Sequence, residues 1–306
     1  MSEALITSSG LRLEVAGLTD VGQVREHNED CLGIAAAQYE PRLADYGCLF
    51  AVADGMGGHS LGEIASQLAI DALYDTYYHA EPDPPLALYQ AIGAANEVVH
   101  YQASLRGVTM GTTLTVAVLH DAMLIVANVG DSRVYRLRDG RAQQLTQDHS
   151  LISEQLRRGL ITYEQAEQSQ MKNVITRSIG FRSSVEIDIN ESPVRVDDVI
   201  LLCSDGLHGL LAPAELAAIV SSQPLGFAAQ MLVNLANRRG GPDNVSCLLV
   251  RVVALPDLPD LPDLAEEAPS DAADDTNELP VEAADEADES GANDRLLAVE
   301  ETSESA

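Results

Sequence analysis

The chain has 306 residues, 46% of them hydrophobic, enough for one large core or two small ones. Its 48 acidic and 18 basic residues give a formal net charge of −30, which argues against a nucleic-acid groove and against an anionic membrane surface, because both call for a basic footprint. No apolar run approaches a membrane span, and the opening "MSEALITSSG" lacks a basic-then-apolar leader pattern, so a cytoplasmic protein is expected.

In chain order, short β-rich runs fall at Leu13–Leu18, Leu49–Ala53, Thr113–Leu119, Leu124–Asn128, Val134–Leu137, Val199–Cys203 and Val245–Val253. His120–Asp121 and "RDGR" at Arg138–Arg141 are tight hairpin connections, so the strands they join must be antiparallel. Helical stripes interrupt the strands. Ile64, Ala65, Leu68, Ala69, Ala72 and Leu73 form one; Leu88, Ile92, Ala95 and Val99 a second; Phe227, Met231, Leu232 and Leu235 a third. "SLISEQLRRG" reads as a capped helix, with Ser150 as N-cap and Gly159 as stop. This pattern predicts an α+β domain, antiparallel strands inside and amphipathic helices outside, over residues 1–253. From Ala254 onward 18 acidic residues and one basic give −17, with a "PDLPDLPDL" repeat. Residues 254–306 are therefore expected to be a disordered acidic tail. Cys31, Cys48, Cys203 and Cys247 form no CxxC pair and sit in apolar surroundings, so buried, reduced thiols are expected.

The informative carboxylates share one habit: each sits at an end of an apolar strand, beside glycine or asparagine. Asp54 closes "FAVA" and precedes Gly55. Asp131 follows "LIVANVG". Asp205 follows "VILLCS". Asp243 stands in "GGPDN", before "VSCLLV" and beside Asn244. Glu29 and Asp30 precede the apolar run from Cys31. One aspartate before glycine is ordinary turn chemistry. Five strand ends of this kind point to carboxylates converging on a cation, and oxygen-only ligands select hard ions such as Mg²⁺ or Mn²⁺. Arg25, four residues before Glu29, reads either as a salt bridge or as a fork for phosphate; a nearby metal cluster favours phosphate.

Six segments, "DVGQVREHNED", "FAVADGMGGH", "MGTTL", "ANVGDSRVYRL", "LLCSDGLHGLL" and "GGPDNVS", occur in one order over about Leu13 to Val253. In these the chain resembles the metal-dependent Ser/Thr protein phosphatases of type 2C, in their compact bacterial form. The resemblance implies a central β-sandwich of two antiparallel sheets with helices outside. It implies two metal ions and a third, Mn²⁺ or Mg²⁺. Asp54 would bridge two ions, with the Gly55 carbonyl, Asp205 and Asp243 completing the shell and Asp131 joining Asp205 at the third. Glu29 and Asp30 would hold metal-bound water, and Arg25 the substrate phosphate. Hydrolysis of phosphoserine or phosphothreonine by metal-activated water would follow. Phosphorylated proteins would be the partners, with a Ser/Thr kinase opposing the enzyme in signalling, and the protein is expected to act as a monomer. Two other readings stay open: a phosphoprotein-binding pseudophosphatase and a small-molecule phosphatase. Met56 stands where many eukaryotic relatives have histidine. His59 is either its substitute or a loop histidine. Ser169–Gln170 replaces the His-Pro of many bacterial flaps, which bears on substrate preference.

Overall fold

Apolar runs become strands here because β-branched and aliphatic side chains are buried on both sides of a pleat, which yields unbroken apolar runs rather than alternation. The computed structural model describes residues 2–34, 37–57, 61–169, 171 and 174–257. His59, Gln170 and, of the tail expected to be disordered over 254–306, residues 258–306 lie outside them; Ala254, placed in that tail, is the last residue of β12. In chain order the first elements are β1 (Ser2–Ser8), β2 (Leu11–Asp20), β3 (Asp30–Ile34), the short α1 (Leu43–Tyr46), β4 (Cys48–Gly57), α2 (Leu61–Tyr77) and α3 (Pro84–Arg106). The hairpin region follows with β5 (Met110–Thr112), β6 (Leu114–His120), β7 (Met123–Val129), β8 (Arg133–Arg138) and β9 (Arg141–Gln144). Then come α4 (Leu151–Arg157), α5 (Tyr163–Gln168), β10 (Asp188–Pro193), β11 (Val199–Cys203), α6 (Asp205–His208), α7 (Pro213–Ser222), α8 (Leu225–Arg238) and β12 (Val245–Ala254).

Two antiparallel six-stranded sheets result. One runs β1-β2-β12-β11-β8-β9; the other runs β10-β7-β6-β4-β3, with β5 paired to β4. Their facing sides share one core, in which Leu13 and Val15 of the first sheet meet Phe50, Val52 and Val116 of the second. The helix pair α2–α3 covers the second sheet, and α7–α8 cover the first through a separate cluster around Leu216, Leu232 and Leu249. The architecture is the expected α-β-β-α sandwich. Both predicted hairpins are present, and the left-handed pair Asp139 (φ 51°) and Gly140 (φ 71°) gives the DG turn the twist that adjacent strands need.

The differences from expectation are instructive. The predicted strand Thr113–Leu119 is β6 shifted by one residue: Thr113 falls between β5 and β6, where its N–H donates to the Asp54 carbonyl at 2.9 Å. The third helical stripe is rotated. Phe227 is 57% exposed, and the buried face of α8 is Leu225, Ala228, Ala229, Leu232, Val233 and Ala236. Small alanines allow close approach to the sheet, which apolarity alone does not reveal. Polar β1 and β10 carry little hydrophobic signal and form only because an edge is there to pair with. All four cysteines are free thiols, but Cys31 is only partly buried, its Sγ donating to Gln67 Oε1 at 3.4 Å. Leu255 still packs against the core beyond β12.

Candidate active site

Strand register gathers the acidic residues at one end of the sandwich. In the β3–β4 ladder Asp30 lies opposite Asp54. In the β11–β12 ladder Cys203 lies opposite Cys247, which brings Asp205, two residues past β11, to the same end as Asp243, two residues before β12. Val129 is paired with Leu114 beside β4, so Asp131 reaches that end as well.

Backbone fit explains the glycines. A Cβ on Gly55 would stand 2.1 Å from the Gly62 carbonyl oxygen and 2.6 Å from that of Glu29. One on Gly206 would stand 2.0 Å from the Asn244 carbonyl oxygen. No side chain can be placed at either position without moving backbone.

Hydrogen bonds fix the frame. Asp54 N–H donates to Thr113 Oγ1, and Thr112 Oγ1 donates to the Asp54 carbonyl, both at 2.9 Å. Ser204 Oγ donates to Asp30 Oδ2 at 2.8 Å, tying the end of the first sheet to the start of β3 in the second. Asn244 accepts from Glu29 N–H at 2.8 Å and donates to the Val21 and His27 carbonyls at 2.9 Å each. Its amide is thus spent on holding the loop between β2 and β3. The Glu29 carboxylate accepts from the Gly62 N–H at the start of α2, where the helix dipole favours a negative charge.

The electrostatics are those of an uncompensated acid cluster. Burial raises Asp54 well above the usual carboxylate range, and Asp30, Asp205, Asp131 and Asp243 raise it further. Asp131 is pushed up to about 7 by burial and by Asp205 and Asp148, against the pull of Arg133. Asp30 and Asp205 rise as well, through burial first and neighbouring aspartates after it. Among the described residues no three of these side chains close on one point as a finished ligand cluster. Yet Asp30 Oδ1 and Asp205 Oδ1 are buried and accept no hydrogen bond from the described protein. Buried anionic oxygens left open in this way fit a hard divalent cation.

The model of the family described as "Protein phosphatase 2C" matches residues 15–245. The chain belongs to the protein phosphatase 2C family. It is 39% identical over 242 residues to the serine/threonine phosphatase stp of Listeria innocua, covering 76% of this chain and 93% of that one. It is 37% identical over 248 residues to protein phosphatase PhpP of Streptococcus pneumoniae, covering 78% and 97%. Among solved structures, the catalytic domain of the phosphatase PstP in complex with two manganese ions superposes with a TM-score of 0.69 at 35% identity, covering 79% of this chain and 99% of that one. The Mycobacterium tuberculosis phosphatase PstP/Ppp gives 0.70 at 34%, with coverage of 79% and 99%.

In this phosphatase 2C domain Asp30, Asp54, Asp131, Asp205 and Asp243 come together, with Glu29 at the rim. Arg25 also joins them, but its ion partner is Asp243, at 2.7 Å and 218 residues away, rather than its neighbour Glu29. Sequence reasoning missed the hydroxyls. Ser204, Ser246, Thr112 and Thr113 brace the site, and only their adjacency to Asp205, Asn244 and "MGTTL" could have signalled them. It also missed His208, whose Nε2 lies 3.0 Å from the Asp131 carbonyl oxygen.

Proposed function

We propose that this chain removes phosphate from phosphoserine and phosphothreonine in proteins, as a metal-dependent phosphatase whose nucleophile is water. The observation that carries the proposal is the set of carboxylates Asp30, Asp54, Asp131 and Asp205 at one sandwich end, of which Asp30 and Asp205 each keep a buried oxygen with no hydrogen-bond partner among the described residues. Asp54, Asp205, Asp243 and the Gly55 carbonyl would hold two divalent ions, Mn²⁺ or Mg²⁺, and Asp131 with Asp205 a third. Ions bound there lower the pKa of water and offset charge on phosphoryl oxygens.

The chain's own residues do the rest. Arg25 is half exposed, tethered to Asp243 by one nitrogen, and presents its remaining donors to solvent. It binds phosphate oxygens as a planar fork and fixes the ester for in-line attack. Glu29 at the rim and the buried Asp30 would hold water bound to those ions. Asn244 is a positioning residue, because its side chain holds Glu29 in place. Among the described residues a covalent route finds no nucleophile. The nearby hydroxyls are committed to the frame, and burial raises the pKa of all four thiols, Cys31 to about 11.

The partners are proposed to be phosphorylated proteins, including substrates of an opposing Ser/Thr kinase, met by a cytoplasmic monomer. Among the described residues no helix is long and apolar enough to cross a membrane. The test compares phosphopeptides with small phosphate esters, with and without chelator. Excess EDTA is expected to abolish turnover and Mn²⁺ or Mg²⁺ to restore it, with kcat/KM higher for peptides. Full activity in EDTA would overturn the metal assignment, and turnover of small esters alone the protein-substrate assignment.

A further inference from the structure

Beside the carboxylate end lies a cleft of about 960 Å³, bounded by α4 and by residues 175–186. Met56, two residues beyond Asp54 on β4, lines one side of it, so the cleft adjoins the strand that carries Asp54. Four of the chain's 18 basic residues, Arg157, Arg158, Arg177 and Arg182, line it against two glutamates. The rest of the molecule is strongly acidic, so this is a local reversal of sign.

The four arginines are not equally committed. Arg177 is held by Asp188 at 2.8 Å and Glu186 at 3.1 Å, and so forms part of the wall. Arg158 is 73% exposed and only grazes Glu154 at 4.0 Å. Arg157 and Arg182 are exposed and make no ion pair among the described residues. In Arg182 the described bond uses the backbone carbonyl, which accepts from Asn96, so its guanidinium stays available. Phe181, 50% exposed, adds an apolar seat between these charges.

We propose that this cleft selects protein substrates carrying acidic side chains close to the phosphorylated residue, with Arg157, Arg158 and Arg182 receiving their carboxylates. The inference rests on the phosphatase reading above and names the substrate class of that site. Guanidinium suits the task because its planar donors match a carboxylate in bidentate fashion and it stays charged throughout the working pH range. The net charge of −30 does not forbid an acidic guest. At physiological salt the field of distant charges is screened beyond about 8 Å, so arginines at contact distance decide the local sign.

The test uses the full chain with Mn²⁺ and phosphothreonine peptides identical except for flanking Asp, Ala or Lys, placed on either side of the phosphoresidue. A single exposed pair shifts affinity by about two- to fivefold. Two or three pairs should therefore raise kcat/KM for an Asp-flanked peptide about tenfold over its Ala counterpart, mainly through KM. The ratio should decline towards one at high salt. In the double variant Arg157→Gln/Arg182→Gln it should fall to about two or less, while the Ala peptide serves as internal control. Equal turnover of Asp and Ala peptides at low salt, or a ratio unchanged in the double variant, would overturn the inference. A small phosphate ester separates the two readings. If the ester is hydrolysed and the peptides show no preference, only the cleft assignment fails. If neither the ester nor any of the phosphopeptides is hydrolysed, the phosphatase reading fails, and the cleft is judged by anisotropy of labelled peptides. Tighter binding of the Asp peptide, lost in the double variant, would then support it, and equal binding would overturn it.

Discussion

Two groups of buried or nearly buried aspartates in this molecule have opposite surroundings. Asp198 is clasped by Arg138 at two points, both 2.6 Å, and also accepts from the Arg195 N–H. Asp148 is held by three bonds from Arg133, the shortest 2.6 Å. Each carries its counterion on the chain. Asp30, Asp54, Asp131 and Asp205 face one another, and their pKa values rise because burial and mutual repulsion oppose ionisation. A fold able to place arginine beside two carboxylates leaves four others without one. The contrast supports the proposal that positive charge reaches the sandwich end from outside.

The same substitution should have opposite consequences in the two groups. Asp54→Asn is expected to cut turnover by about 10³-fold, since it removes the carboxylate proposed as the central ligand of the site. Metal-free stability should be unchanged or higher, because one repelling charge is gone. Calorimetry showing unaltered metal binding would break the assignment. Asp198→Asn should instead cost about 3 kcal/mol of stability by breaking its nearly buried ion pair with Arg138, with turnover per folded molecule retained; denaturant titration beside a kinetic assay reads both. Equal loss of stability in the two variants would erase the distinction.

Arg25 stands between the groups, paired to an aspartate yet half exposed. Arg25→Ala should lower kcat/KM about tenfold or more, through KM more than kcat, with metal affinity little changed. A variant with normal kinetics and a lowered melting temperature would make Arg25 a salt bridge and nothing more. A smaller effect is expected from pH. Asp131 titrates near 3.8 unfolded and about 7 folded, and Asp30, Asp54 and Asp205 shift in the same direction. Between those pH values the folded state binds more protons. The stability this gives is full below the unfolded pKa and is lost as pH rises through about 7. Metal-free protein should therefore melt lower at pH 8 than at pH 5, and divalent ion should restore the difference. A metal-free melting temperature that rises over this range would contradict the repulsive cluster. The smallest effect concerns the proposed domain limit. Ending the chain after Asp257 should move the melting temperature by no more than about 2 °C, as measured by thermal melts of the two proteins.

Much of the site was legible because its signals are local. A carboxylate that stops an apolar run reports a strand end, and Val199–Cys203 with the later Asp205 shows it within seven residues. The amphipathic stripes of α2 and α3 likewise come from spacing alone. Where the pattern failed, competing contacts were at work. Alanine packing turned α8 so that Phe227 faces outward, and edge pairing drew polar residues into β1 and β10.

By itself the sequence determined which residues could carry charge chemistry, which runs would be strands, and, from antiparallel hairpins, that many strand ends would share a side. It did not determine which ends meet. The pairing of Arg25 with Asp243, the bond from Ser204 to Asp30 across 174 residues, and the Asn244 clamp on the loop before β3 depend on ladder register and on how the two sheets face each other. Neighbours along the chain report local burial and local turns. Contacts across hundreds of residues are fixed only when the shared core closes, because a one-residue slip in any ladder would turn these side chains to the opposite face.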